Sequence, residues 1–336
     1  MLNAGREEIT EFHVDNGQGH RLYIKRTVVE PALVRARRPL LIVPGYGMNS
    51  FIFGYHPRGT SLSGYMARQG FEVWTFDLRD TGMSKRLNKR AEGPSLEAYI
   101  ADDLPVVIDA VLRRTVCDDA SKVDVLGASL GGTIVYGHLA LRGAERSQFG
   151  SVVTIGAPLR WDNVHPALRL AFKSPWLMSK VRISGARKIA KAALPIIERV
   201  PQLLSIYMNP AIVDLSKPQE LVKTVEDPNP RVNADIARWI NAGDLKLSGV
   251  NVTEALKRVD TLPLLLVLAN KDGIVPTETA MSAKHAWGGP VETLHVGDEQ
   301  TWYAHADLFI GDPAPGAVFE PIASFLMQRG GYAKAG

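Results

Sequence analysis

The stretch VDVLGASLGGTIVYG, residues 123–137, constrains this chain more than any other. Val123, Val125 and Leu126 favour a strand and follow the polar loop CDDASK. Leu130, Ile134, Val135, His138 and Leu139 then recur at helical spacing. Ser129 therefore sits in a strand-to-helix turn, with Gly127 two residues before it and Gly131 two after. A residue pinched in such a turn takes a strained backbone conformation, and bulky neighbours at those two positions clash. In that setting Gly-x-Ser-x-Gly reads as a nucleophile elbow, which lifts a hydroxyl clear of the sheet at a helix N-terminus, where negative charge is favoured. A chance turn of small residues is the alternative, and the flanking strand and helix argue against it.

The rest of the chain alternates in the same way. EFHV (11–14) and RLYIKRTVV (21–29) read as paired strands around the turn DNGQGH. PLLIVPGYG (39–47), FEVWTFDLR (71–79), FGSVVTIGAP (149–158), LPLLLVLAN (262–270) and VETLHV (291–296) read as further strands. Helices are expected over 61–70, stopped by Gly70, over 95–114 with Ser95 as N-cap, over 276–286 and near 316–328. Alternating strands and helices predict an α/β fold with a mostly parallel central sheet covered on both faces. The alternation lapses between about 159 and 260, where the pattern is helical and broken by prolines. The expected organisation is a core, residues 1–158, an inserted, mainly helical cap, residues 159–260, and a second core portion, residues 261–336. The cap should cover the C-terminal edge of the sheet, where such folds place their sites.

A serine hydroxyl needs a base to take its proton, and an imidazole needs a carboxylate to orient it. In an elbow of this kind the chain order is serine, acid, histidine. Asp272, in LANKDGIVP at the end of a strand, is the expected acid, with Asp162 in GAPLRWDN as competitor. His305, in the loop WYAHADLFIG between the last strand and the last helix, is the expected base. His295 lies within a strand and His285 on a helix, and His138 reads as core or helix surface. An oxyanion formed at an attacked carbonyl needs fixed donors. The backbone N–H groups of Leu130, directly after the serine, and of Tyr46, in the loop after LLIVP, are the candidates. Gly45 and Gly47 leave that loop free to approach closely. The same GYGMNS is a poor dinucleotide loop, since it lacks the third glycine, an evident helix and a later acid, and no phosphate-binding G-x-x-x-x-G-K-[ST] occurs.

Together VPGYG, DLRDTGMS and GASLGG resemble the α/β-hydrolase superfamily, over about two-thirds of the chain. The run SLSGYMARQGFEVWTFDLRDTGMS is similar to the same region of acid lipases and of polyhydroxyalkanoate synthases. Two motifs depart from the family pattern: Pro44-Gly45 replaces the usual His-Gly, and Arg79-Asp80-Thr81-Gly82 the usual Arg-Gly-x-Gly. The synthases carry cysteine at the elbow, and epoxide hydrolases and dehalogenases of this fold carry aspartate. Ser129 therefore favours hydrolysis over polymerisation and argues against both aspartate-dependent classes. The resemblance implies a carboxylic ester hydrolase, lipase- or esterase-like, with an apolar acyl ester as substrate and no metal or organic cofactor. An acyltransferase with the same triad and a non-catalytic ligand receptor are the alternatives.

Composition bounds the setting. With 46% hydrophobic and 22% charged residues the chain is an ordinary globular protein. Its single cysteine, Cys117, excludes an intrachain disulfide. The N-terminal residues MLNAGREEITEF do not read as a signal peptide and no apolar run reaches membrane-spanning length, so a cytoplasmic location is the default expectation. A net charge of +4 gives no reason to expect nucleic acid as a partner, and no sequence feature specifies an oligomeric state. Charge is concentrated in residues 167–200, which hold eight Lys/Arg and the single acid Glu198. Ile189, Ala193, Ile197 and Val200 share one helical face there, and Arg187 and Lys191 another. The segment is expected to roof the pocket rather than contact a membrane, because Pro195 interrupts the helix. Trp161, Trp176, Leu177 and Met178 are candidates to line an acyl pocket, or to form cap core.

Overall fold

The computed structural model of the chain describes residues 5–181, 185–188 and 205–329. In chain order the strands are β1 (Glu8–Asp15), β2 (His20–Val28), β3 (Leu40–Val43), β4 (Val73–Phe76), β5 (Lys85–Arg86), β6 (Val123–Ala128) and β7 (Phe149–Ile155). They continue with β8 (Lys246–Leu247), β9 (Val250–Asn251), β10 (Leu264–Ala269) and β11 (Val291–Val296). The main sheet runs β1-β2-β4-β3-β6-β7-β10-β11, with β5 paired to β2, while β8 and β9 form a separate hairpin. β1 and β5 pair antiparallel to β2, and β2 antiparallel to β4. Every pair from β4 to β11 is parallel.

The central strands read as unbroken apolar runs because both of their faces are buried. All residues of β3, β4, β6 and β10 are buried. Successive side chains point to opposite faces. Leu41, Val43, Trp74 and Val125 join one hydrophobic cluster, whereas Leu40, Ile42, Val73 and Leu126 join another. The first packs against the helices Leu104–Leu112, Leu130–Arg142, Pro230–Ala242 and Thr277–Ala286, the second against Leu62–Arg68 and Glu320–Arg329. The expected sheet, covered on both faces, is present.

Two local features differ from expectation. The helix read over 95–114 starts as expected, with Ser95 Oγ accepting the Ala98 amide at 3.1 Å, but widens into a π turn at Tyr99–Asp103. Pro105 follows this turn and has no amide to donate to a regular helical ladder. The second difference concerns residues 159–260, which do not build a core of their own among the described residues. Trp239, Ile240, Leu245, Leu247, Val252 and Leu256 are buried in the cluster that also holds β6 and β10 residues.

Candidate active site

Ser129 follows β6 directly and precedes the helix Leu130–Arg142. Its φ of 53° and ψ of −123° lie outside the ordinary regions for a residue with a side chain. The fold supports that strain from both sides. A Cβ on Gly127 would collide with the backbone of Gly131 and Gly132, and one on Gly131 with the Val43 carbonyl. The Ser129 amide donates to the Ile155 carbonyl at 2.8 Å, tying the turn to the end of β7.

Asp272 and His305 come from separate loops, after β10 and after β11, and meet. His305 Nδ1 and Asp272 Oδ2 are 2.6 Å apart, with both side chains buried. The other carboxylate oxygen, Oδ1, accepts the amides of Ile274 and Val275, each at 2.8 Å. The acid is thus held by its own turn on one oxygen and presents the second to the imidazole. The competitor, Asp162, instead forms an exposed ion pair with Arg160 at 2.5 Å.

Gly156 lies between Ser129 and the His305–Asp272 pair. Its neighbour Ile155 accepts the Ser129 amide, while a Cβ on Gly156 would lie 3.0 Å from His305 Cε1 and 3.2 Å from Asp272 Oδ2. Its φ is +54°, a conformation that favours glycine. One peptide at the end of β7 therefore abuts all three candidate residues. Within FGSVVTIGAP this residue reads only as part of a strand; a glycine closing a parallel strand is the one signal the sequence offers for it.

The loop after β3 crosses the front of the elbow. A Cβ on Gly45 would lie 2.9 Å from Ser129 Cβ and 3.2 Å from the Leu130 nitrogen, so the close approach that this glycine permits is to the elbow itself. Tyr46 is anchored by its hydroxyl, which donates to Asn233 Oδ1 at 2.5 Å, and burial pushes its pKa up to about 12. The phenol stays neutral at ordinary pH, and Tyr46 ties this loop to the helix Pro230–Ala242.

Two further groups near the site have no role assigned by the sequence. Arg79, within DLRDTGMS, is fully buried and pairs with buried Asp103 through Nε at 2.8 Å and Nη2 at 2.7 Å. Asp307, two residues after His305, is also fully buried. Its carboxylate accepts the Ala304 amide at 2.6 Å and the Asn209 amide at 2.9 and 3.0 Å. Burial raises its pKa to about 7, against the pull of those amides. The Ala306 amide donates to the Tyr207 carbonyl and the Gly273 amide to the Ile206 carbonyl, so residues 206–209 are knitted to both the acid and the base loops.

A cavity of about 390 Å³ opens beside the elbow. Gly45, Tyr46, Leu130, Leu78, Tyr99 and Val232 contribute to its wall, but so do Arg79, Asp80, Arg86, Glu226 and Asp227. None of the four residues expected to line an acyl pocket borders it. Trp161 packs against Trp239 with ring centroids 5.4 Å apart, and Met178 is half-buried. Trp176 and Leu177 face solvent, at 69% and 50% exposure. Within the basic segment, Arg187 pairs with Glu226 at 2.5 Å. Ile189, Lys191, Ala193, Pro195, Ile197 and Val200 lie outside the described residues.

The sheet order, the strained residue between β6 and its helix, and the buried carboxylate–imidazole pair on the later loops define an α/β hydrolase. The profile of the family described as "Serine aminopeptidase, S33" matches residues 36–301, and the chain belongs to that family. No curated protein matches the sequence significantly. Among solved structures, an esterase from Rhodococcus sp. ECU1013 superposes with a TM-score of 0.62 at 18% identity, covering 96% of this chain and 99% of that one. An esterase from Exiguobacterium antarcticum gives 0.60 at 16% identity, covering 95% and 100%. The 2-hydroxy-6-oxo-6-phenylhexa-2,4-dienoate hydrolase of Rhodococcus sp. strain RHA1 gives 0.59 at 16% identity, covering 96% and 99%. At these identities the likeness is one of fold. Among the described residues no helix is long and apolar enough to cross a membrane.

Proposed function

We propose that this hydrolase cleaves carboxylic esters through an acyl-enzyme on Ser129. The observation that carries the reading is the buried 2.6 Å contact between His305 and Asp272 on the peptide that also holds Ser129. With Nδ1 committed to Asp272, Nε2 is the imidazole nitrogen left to act as base. Ser129 Oγ attacks the acyl carbon and its proton passes to Nε2. The negative charge develops on the carbonyl oxygen, facing the N–H groups of Leu130 and Tyr46. Collapse breaks the acyl–oxygen bond and the leaving alkoxide takes the proton from Nε2. Water, deprotonated by the same nitrogen, then releases the acid and restores the serine.

The cavity beside Leu130 bears on the substrate. Five charged side chains in its wall make it a poor home for a long bare acyl chain, whose burial against them would forgo apolar contact. The group held there carries oxygen or nitrogen atoms that those side chains can meet. Within this proposal an acyl or alcohol group bearing polar atoms suits that wall better than a bare apolar chain.

Turnover of a panel of aryl esters with polar and apolar acyl groups, beside aminoacyl anilides and added acceptor alcohols, tests the reading. Ester hydrolysis that exceeds anilide cleavage, without transfer to the alcohols, is the expected result. Preferential anilide cleavage would make the protein a peptidase, and alcohol-trapped product an acyltransferase. No turnover at all would leave a ligand receptor on a hydrolase fold.

A further inference from the structure

The segment Pro166–Lys180 presents an exposed apolar face with no packing partner among the described residues. Leu168 and Phe172, one helical turn apart, turn inward and pack against the core. Asn241 Nδ2 donates to the Lys173 carbonyl at 3.2 Å, and the short helix Pro175–Met178 packs on Pro230–Ala242. The inner side of the segment is therefore satisfied. On the outer side Leu170 is 75% exposed and Trp176 69%, the two highest values among large hydrophobic side chains of the described residues. Leu177 adds a third at 50%.

Within the segment itself the charge has one sign. Arg169, Lys173 and Lys180 are exposed beside the apolar side chains. From Asn163 to Ile197 the sequence holds seven Lys/Arg and no acid. Scattered apolar residues on a surface mean little, but a tryptophan and two leucines beside exposed cations combine the two attractions that hold a protein to an interface. The long cationic side chains reach lipid phosphates while indole and leucine enter the headgroup boundary. Nucleic acid would use the cations but gives Leu170 and Leu177 nothing to bury against.

We propose that this face docks on an anionic lipid surface, making the protein peripheral to a membrane. The roofing role expected from the sequence does not extend to Trp176 and Leu177, which are exposed and do not border the cavity. The proposal is independent of the substrate and of the triad.

Co-sedimentation with vesicles tests it, using phosphatidylcholine alone and a 3:1 mixture with phosphatidylglycerol. Binding to the mixture and not to phosphatidylcholine, falling steeply as salt rises, is expected. Replacing Arg169, Lys173 and Lys180 by Gln should weaken it by about two orders of magnitude, from roughly fivefold per charge. Trp176→Ser with Leu177→Ser should weaken it by a comparable factor while Tm stays unchanged, because those side chains are exposed. Equal binding to both vesicles, no binding, or unaltered binding by both variants would overturn the proposal. So would binding to duplex DNA in place of vesicles, or concentration-dependent dimerisation lost in the Trp176/Leu177 variant.

Discussion

His305 and Asp272, 33 residues apart in the chain, share a 2.6 Å hydrogen-bond contact through Nδ1 and Oδ2, and both are buried. Asp272 is held in place through its other oxygen by two amides. Asp272→Asn should keep those two contacts and offer an N–H where the imidazole needs an acceptor. The histidine is then left in the wrong tautomer. Ester turnover is expected to fall by about four orders of magnitude with little loss of stability. Asp162→Asn, which alters only an exposed pair with Arg160, should leave turnover within twofold of the parent. A large effect of Asp162→Asn would reassign the acid.

Gly156 offers a second test, independent of any titratable group. Alanine there combines a φ of +54° with a methyl 3.0 Å from His305 Cε1. The backbone cost is about 1–3 kcal/mol, and a shifted imidazole should lower kcat about a hundredfold. Steady-state kinetics beside thermal unfolding separates the two. An unaltered kcat would mean that Gly156 does not hold the base in position.

Asp307 predicts a pH dependence of stability. Its folded-state pKa is raised from 3.8 to about 7, chiefly by burial. The stability it contributes is therefore fully present below pH 4 and is lost as the pH rises towards 7, where the folded state must ionise a buried carboxyl. Asp307→Asn removes that dependence. The stability of the parent relative to the variant should decline between pH 4 and pH 7, by a few kcal/mol at most. Asp272, His305, Tyr207 and Tyr303 also interact with this group, so the comparison must be made between the two proteins and not from the parent alone. Denaturant unfolding at several pH values checks it, and parallel curves would contradict it.

Arg79 and Asp103 form a pair with both side chains fully buried. Asp103→Ala removes the two shortest bonds of a buried guanidinium, leaving it Asp102 at 3.3 Å as its remaining carboxylate, and should destabilise the fold by about 3 kcal/mol. Chemical denaturation measures it; a loss below about 1 kcal/mol would mean that the pair is not what holds the DLRDTGMS turn against the π turn Tyr99–Asp103.

The legible parts of this molecule are those written in short stretches. The elbow is local, since Gly127, Ser129 and Gly131 declare a turn that only small residues permit. Each strand of the parallel core is an apolar run with its own boundaries, and the order of acid and histidine follows from the chain order of the fold. What escaped is long-range or depends on orientation. Arg79 meets Asp103 across 24 residues, and Asp307 meets Asn209 across 98. No pattern within either stretch announces the other. Trp176 and Leu177 show the second kind of difficulty. Their hydrophobicity suggests a pocket, yet which side of a four-residue helix faces inward is decided by its packing on Pro230–Ala242. The burial of Trp239 and Val252 in the same cluster as the sheet is likewise a long-range contact that no local pattern announces.

The central claim is that Ser129 is the nucleophile. Fluorophosphonate labelling followed by peptide mapping, with ester turnover measured on the same preparations of the parent and Ser129→Ala, tests it most directly. A phosphonyl adduct on Ser129 alone, none in the variant, and a fall in turnover of about six orders of magnitude are expected. An adduct on another serine, or a Ser129→Ala protein that retains turnover, would contradict it.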